Sequence, residues 1–171
     1  MAVRWSWCIG VAAGLVLMLG ESQPVLAQGD MLRPIPPGEC QTFAVQVQNA
    51  IGMAAKASED DFTDLIDNSD GRSCHIAASA SGQSFATPGD LITRVATVFP
   101  GWTDDPTRTA DGPDGTEKGY VKGDRVATVD VSWEPGPGVT CSDKEPLSAC
   151  KILPQQKLWN VIVDIVVKGG K

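Results

Sequence analysis

The chain has 171 residues, of which 21 are acidic and 14 basic, and its net charge at neutral pH is −7. Nucleic acids and anionic lipid surfaces bind proteins through clusters of Lys and Arg, so this charge disfavours both as partners. The length suits a signal segment followed by one domain, and it leaves the oligomeric state open.

Residues 1–27 have the pattern of a secretory signal peptide. Arg4 supplies the positive start, an apolar run follows, and the residues at 25–27 suit cleavage before Gln28. The alternative is a retained membrane anchor, but the uncharged run of residues 5–20 is shorter than the roughly 20 residues that span a bilayer. We therefore expect a secreted or periplasmic protein with no stable membrane anchor after cleavage.

Residues 28–38 form a Pro-rich, extended lead-in, and residues 39–171 form a single α+β domain. Apolar residues recur at helical spacing over residues 39–57, which predicts the first helix. Residues 59–70 carry six acidic side chains. They predict one short, solvated helix that begins with a capping box at Ser58.

The mature chain keeps four cysteines, and an even number in an exported protein indicates two disulfides. Three pairings are possible. We pair Cys141 with Cys150 because they bracket a short turn-rich segment, which leaves Cys40 with Cys74. A metal site that uses these cysteines and His75 is disfavoured, since adjacent residues of a strand point to opposite faces.

A strand and a second helix follow. Residues 73–80 alternate weakly and predict the strand. The helix has a sharp start, because Thr87 can cap it, Pro88 suits its first position and Asp90 completes a capping box. Pro100 ends it.

Residues 103–119 are rich in Gly, Pro and acidic side chains and are predicted to be a long surface loop. Carboxylates at Asp111, Asp114 and Glu117 are the residues here that could suit calcium, which prefers oxygen ligands. Their spacing matches no calcium motif, so we expect a surface loop and assign no metal or other cofactor.

Residues 125–134 and 157–168 predict two strands, because apolar side chains occupy every second position in both. Antiparallel pairing with Trp133 opposite Trp159 puts all the apolar pairs on one face. A shift of one residue would bring Asp164 to that face. A shift of two residues remains open, as does a sheet in which these strands are not neighbours.

The connection between them, residues 135–156, contains the predicted Cys141–Cys150 bond. The closed loop would present Lys144, Glu145, Pro146 and Leu147. Preorganisation lowers the entropic cost of binding, so these are candidate binding residues. The alternative is that the bond only keeps a long connection ordered.

These elements predict an α+β fold with two disulfides and two helices on one face of a small antiparallel sheet. The sheet has at least three strands, and the order is helix-strand-helix-strand-strand. No nucleophile, metal or cofactor motif is present, and His75 is the single histidine.

We therefore expect an exported, non-catalytic binding module for an unknown protein or small molecule, rather than an enzyme. Two alternatives stay open. A secreted hydrolase could use a pair of carboxylates, which leave no sequence signature. A protease inhibitor could present the Cys141–Cys150 loop.

Overall fold

The computed structural model describes residues 31–142 and 144–169. The predicted signal peptide, residues 1–27, lies outside them. They contain helices α1 (Pro37–Ile51) and α2 (Pro88–Ala96), and neither is long and apolar enough to cross a membrane. The strands are β1 (Arg33–Pro34), β2 (Ala55–Asp64), β3 (Ser69–Ser81), β4 (Thr103–Asp111), β5 (Gly115–Lys122), β6 (Arg125–Pro135) and β7 (Lys157–Val167).

The strands form one antiparallel sheet in the order β2-β3-β7-β6-β5-β4, with the short β1 beside β7. The predicted α+β class is therefore confirmed. The sheet exceeds the minimum of three strands that the sequence patterns indicated, and the order of elements differs, because β1, β2, β4 and β5 were not predicted as strands.

The predicted pairing of β6 with β7 is confirmed together with its register. Trp133 lies opposite Trp159, and Val129 lies opposite Val163. These four side chains are at most 4% exposed, because α1 and α2 both pack on this face of the sheet. Full burial of each large apolar side chain stabilises the fold by about 1.5–3 kcal/mol.

Both predicted disulfides form. Cys40 of α1 is bonded to Cys74 of β3, with Cα atoms 5.7 Å apart, and this bond ties the helix to the sheet. Cys141 and Cys150 close a loop between β6 and β7, with Cα atoms 5.6 Å apart. Structural disulfides persist in oxidising compartments, so both bonds are consistent with an extracellular environment.

Two predictions about the first half of the domain were wrong. The helix predicted over residues 39–57 ends at Ile51, because Gly52 adopts a left-handed conformation (φ +72°) and caps the helix. The acidic segment 59–70 is not a helix. Most of it belongs to β2 and β3, and the ten residues of β2 pair with β3. This pairing overrides the local helix preference.

The prediction of a loop over residues 103–119 was also wrong. The segment is a hairpin in which β4 pairs with β5. The register shifts between Asp105 and Ala110, where β4 bulges. Pro106 has no N–H to donate, and such a residue is tolerated at a bulge in an edge strand.

The predicted start of α2 is confirmed. The Thr87 hydroxyl accepts a hydrogen bond from the Asp90 N–H at 3.3 Å, and the Asp90 carboxylate accepts one from the Thr87 N–H at 2.9 Å. Leu91 and Val95 of this helix are fully buried against the sheet. The capping box therefore fixes where the helix begins and which side chains it buries.

Candidate functional site

The face of the sheet opposite α1 and α2, which we call the open face, carries the polar half of the strand pattern. Among the described residues, neither helix packs on it. Its central side chains are therefore half-buried rather than buried. On β6 and β7 they are Thr128, Asp130, Ser132, Asn160, Ile162 and Asp164.

One end of the open face forms a groove of about 230 Å³, which we call the hairpin groove. It lies between the tip of the β2–β3 hairpin, residues 62–66, and the bulge of β4, residues 107–110. Glu117 of β5 and Thr128 of β6 also line it. Two apolar side chains of the hairpin tip are exposed: Leu65 is 85% and Ile66 53% exposed.

Arg108 joins the two sides of the groove. Its guanidinium is buried and donates from Nη2 to Asp64 of the hairpin tip at 2.6 Å and to Asp67 of the β2–β3 turn at 2.8 Å. Its Nη1 donates to Asp105 of β4. A Cβ at Gly119 would collide with Arg108, so glycine in β5 allows the arginine to lie close against the sheet.

Two of the carboxylates that bind Arg108, those of Asp67 and Asp105, have lowered pKa values. A hydrogen bond from Lys168 and the charges of Lys168 and Arg108 keep the pKa of Asp67 below its usual value, despite partial burial. Hydrogen bonds from Thr107 and Arg108 lower the pKa of Asp105 in the same way. The link between the two sides of the groove is therefore ionic at neutral pH.

Glu117 and Asp130 lie directly opposite each other on β5 and β6. Burial raises the pKa of Glu117, and the negative charge of Asp130 raises it further. Burial also raises the pKa of Asp130, although a hydrogen bond with Ser132 opposes this. Neither carboxylate forms a salt bridge within the described part of the chain. The arrangement therefore favours a proton or another cation between them.

A polar row continues from the groove across the sheet, because Thr128 pairs with Asp164 and Asp164 pairs with His75. The Nδ1 of His75 lies 3.0 Å from the Asp164 carboxylate, which also accepts a hydrogen bond from the buried Ser73 hydroxyl at 2.6 Å. Ser73 thus bonds to the carboxylate and not to the imidazole, unlike the serine of a hydrolase triad. Asp164 holds His75 in place.

The sequence-derived calcium candidates divide between the two faces of the sheet. Asp111 pairs with Thr116, so it lies on the face opposite Glu117, while Asp114 is in the turn between β4 and β5. In the described ranges, no group of three or more His, Cys, Asp or Glu side chains is arranged to hold a metal ion. Glu117 faces Asp130 instead.

The four candidate binding residues of the disulfide loop have different surroundings. Lys144, Glu145 and Pro146 are exposed, whereas Leu147 is half-buried and packs against the core. Leu147 also begins a single 3₁₀ turn, Leu147–Ala149. The loop is therefore anchored by an apolar contact in addition to its disulfide.

Sequence reasoning missed Arg108 and Asp130, and it named Glu117 without its neighbour Asp130, because it did not recognise β4 and β5. One signal was present. Asp111-Gly112 and Asp114-Gly115 form a turn-rich run between two polar segments, and Asp-Gly pairs are typical of β-hairpin turns. Recognition of that turn would have brought Glu117 onto a strand beside β6.

The open face thus combines unpaired carboxylates, hydroxyl groups and an apolar rim, a set of groups that can bind a cation or move a proton. Comparisons of the chain with protein-family models, with curated proteins and with solved structures found no match.

Proposed function

We propose that this chain is an exported, non-catalytic binding module whose hairpin groove binds a cationic group of a protein or small-molecule partner. The observation that supports this most directly is Glu117. It is a half-buried carboxylate at the groove that faces a second carboxylate and forms no salt bridge within the described residues.

Like charges directly opposite each other destabilise a sheet, so the free protein is under electrostatic strain at this point. A bound ammonium or guanidinium group would neutralise the pair and relieve that strain. The volume of about 230 Å³ suits one side chain or a small amine. The exposed Leu65 and Ile66 could then contact the alkyl part of the ligand.

The two disulfides and the predicted signal peptide support a secreted or periplasmic location. In that setting the unpaired carboxylates would meet soluble peptides or amines. The net charge of −7 would also attract a cationic partner over longer distances.

The test is a titration with Nα-acetyl-lysine amide, followed by NMR shifts of Thr128 and its neighbours, with Nα-acetyl-norleucine amide as the uncharged probe. Glu117→Gln should weaken binding of the lysine probe about 10- to 100-fold, because a hydrogen bond to a charged group contributes about 1.5–3 kcal/mol.

Glu134→Gln is the matched control. Glu134 is an exposed carboxylate of β6, on the same face and far from the groove, and its replacement removes the same charge. Equal effects of the two substitutions, or equal binding of the lysine and norleucine probes, would contradict the proposal.

A hydrolase that uses carboxylate chemistry is a second candidate, and the same pair supports it. Directly opposed residues have Cβ atoms about 4.5–5.5 Å apart, so their carboxyl groups can adopt the separation of about 5–5.5 Å that retaining glycoside hydrolases use. A raised carboxyl pKa is what a general acid requires.

A panel of aryl glycosides tests this second candidate. Turnover that is lost in both Glu117→Gln and Asp130→Asn, and kept in the exposed control Asp111→Asn, would support it. Wild-type protein that turns over no glycoside would remove this candidate and leave the binding proposal intact.

A further inference from the structure

A second concavity, which we call the helix pocket, lies on the helix side of the sheet. Its volume is about 550 Å³, within the roughly 300–1,000 Å³ typical of small-molecule sites. It is lined by α1, by the segment that joins α2 to β4, and by Lys122 at the end of β5. It shares no lining residue with the hairpin groove, so it does not depend on the function proposed above.

One side of the helix pocket is aromatic. Phe43 of α1 and Trp102 line it, and both are half-buried. The buried Phe99 lies behind them, with its ring centroid 5.7 Å from that of Phe43 and 5.3 Å from that of Trp102. Phe99 also stacks on Tyr120 of the sheet at 4.9 Å. The aromatic surface is therefore fixed to the core and rigid.

The other lining groups are polar. Gln46 and Asn49 lie three positions apart on α1, so their exposed side chains are neighbours on the helix surface. Neither amide forms a hydrogen bond to another described residue, and each offers both donors and an acceptor. Lys122 is the charged side chain of this lining, in a chain that is otherwise strongly acidic.

We infer that the helix pocket binds a sugar ring that carries a carboxylate. The C–H face of a sugar is apolar and packs on an aromatic side chain, here Trp102 with Phe43. The amides of Gln46 and Asn49 match the hydroxyl groups, which both donate and accept. Lys122 pairs with the carboxylate.

The probes are two β-1,4-linked tetrasaccharides, one of glucose and one of glucuronic acid, which differ at C6. Calorimetric titration of the wild type at low salt should give up to about fivefold tighter binding of the acidic tetramer, the upper end of what one exposed ion pair contributes. Tighter binding of the acidic tetramer than of the neutral one is diagnostic, because the net charge of −7 by itself disfavours an acidic ligand.

Lys122→Gln should abolish the preference for the acidic tetramer, whereas Lys144→Gln, which removes a charge from the exposed disulfide loop, should leave it unchanged. Trp102→Ala should weaken binding of both tetramers about tenfold or more. The double variant Gln46→Ala/Asn49→Ala should also weaken binding of both tetramers about tenfold or more. It alters only exposed positions of α1, so it tests the site even if Trp102→Ala fails to fold.

Glu117→Gln should bind both tetramers as the wild type does, which separates this inference from the proposal for the hairpin groove. Three outcomes would overturn the inference: no binding of either tetramer, equal binding of both by the wild type, or the same preference in Lys122→Gln as in Lys144→Gln.

Discussion

Replacing Glu117 with Gln should stabilise the free protein at neutral pH, although the same change should weaken cation binding. Glu117 faces Asp130 across β5 and β6, and burial raises the pKa of both carboxyls. Like charges in directly opposed positions destabilise a sheet by about 0.2–1 kcal/mol. Gln keeps the shape and removes the charge, so the expected gain is up to about 1 kcal/mol, or about 4 °C in Tm for a domain of this size.

The pH dependence of this gain follows from the direction of the pKa shift. The pKa of Glu117 is higher in the folded state than its ordinary value of 4.5, so the folded protein binds the proton more tightly than the unfolded chain does. This tighter proton binding stabilises the folded protein fully at pH values below the pKa that Glu117 has in the unfolded chain. The stabilisation is lost as the pH rises through the pKa that Glu117 has in the folded protein. The advantage of Glu117→Gln should therefore be absent in acid and fully developed at neutral pH.

Urea unfolding at about pH 4 and about pH 7 measures both quantities. Asp130→Asn should halve the effect or remove it, because the two carboxylates then no longer repel each other, and a double-mutant cycle isolates that coupling. Glu134→Gln controls for net charge. The reasoning is refuted if Glu117→Gln destabilises the protein at neutral pH, or if its gain is the same at both pH values.

Four further predictions concern the fold and the remaining candidates. Val163→Asp should prevent folding, since it puts an unpaired carboxylate at a fully buried position of β7, at a cost of several kcal/mol. A cooperative thermal melt near that of the wild type would show that Val163 does not belong to the buried core. Cys141→Ser/Cys150→Ser should reduce the free energy of unfolding by at most about 2.7 kcal/mol and still give a folded domain. If the loop is a binding surface, the variant should also bind a captured partner, or inhibit a protease, more weakly than the wild type. Unchanged binding and inhibition would mean that the loop has only a structural role. His75→Ala should leave binding of the lysine probe to the groove unchanged, and a large loss of that binding with an unchanged melt would mean that the polar row takes part in recognition. The intact mass of the exported protein should correspond to a chain that starts at Gln28. Treatment with iodoacetamide before reduction should leave that mass unchanged, because no free thiol is expected. A retained leader or a reactive thiol would contradict these two expectations.

The strands that the sequence predicted well are those with one fully buried face. In β6 and β7 every second side chain is apolar, and the two tryptophans, Trp133 and Trp159, mark the register. A single-residue shift would expose the whole apolar set, so the pattern leaves little freedom. The capping box of α2 was also predictable, because its two residues, Thr87 and Asp90, act locally.

The strands that could not be predicted from the sequence lack a fully buried apolar face. In β2 the single buried residue is Asp64, and in β4 it is Arg108. These two side chains are buried because they bind each other, across 44 positions of the sequence. A charged residue in a polar segment normally indicates a solvated surface, so neither hydropathy nor spacing could reveal that the two strands meet. The hairpin groove depends on this contact, and so it could not be predicted either.

The position of β7 in the sheet has a consequence for when the protein can fold. β7 comes after the other six strands along the chain, yet it lies between β3 and β6 and also pairs with β1. Its contact with β3 joins Cys74 to Ile165, a separation of 91 residues, and such distant pairing is slow. Until β7 arrives, β3 and β6 have unpaired edges and Ile76 and Val129 have no apolar partner across them. We therefore expect the chain to stay unfolded while it is synthesised, and to complete its sheet only after β7 has emerged. In that interval the open edges of β3 and β6 are the parts of the chain most prone to aggregation.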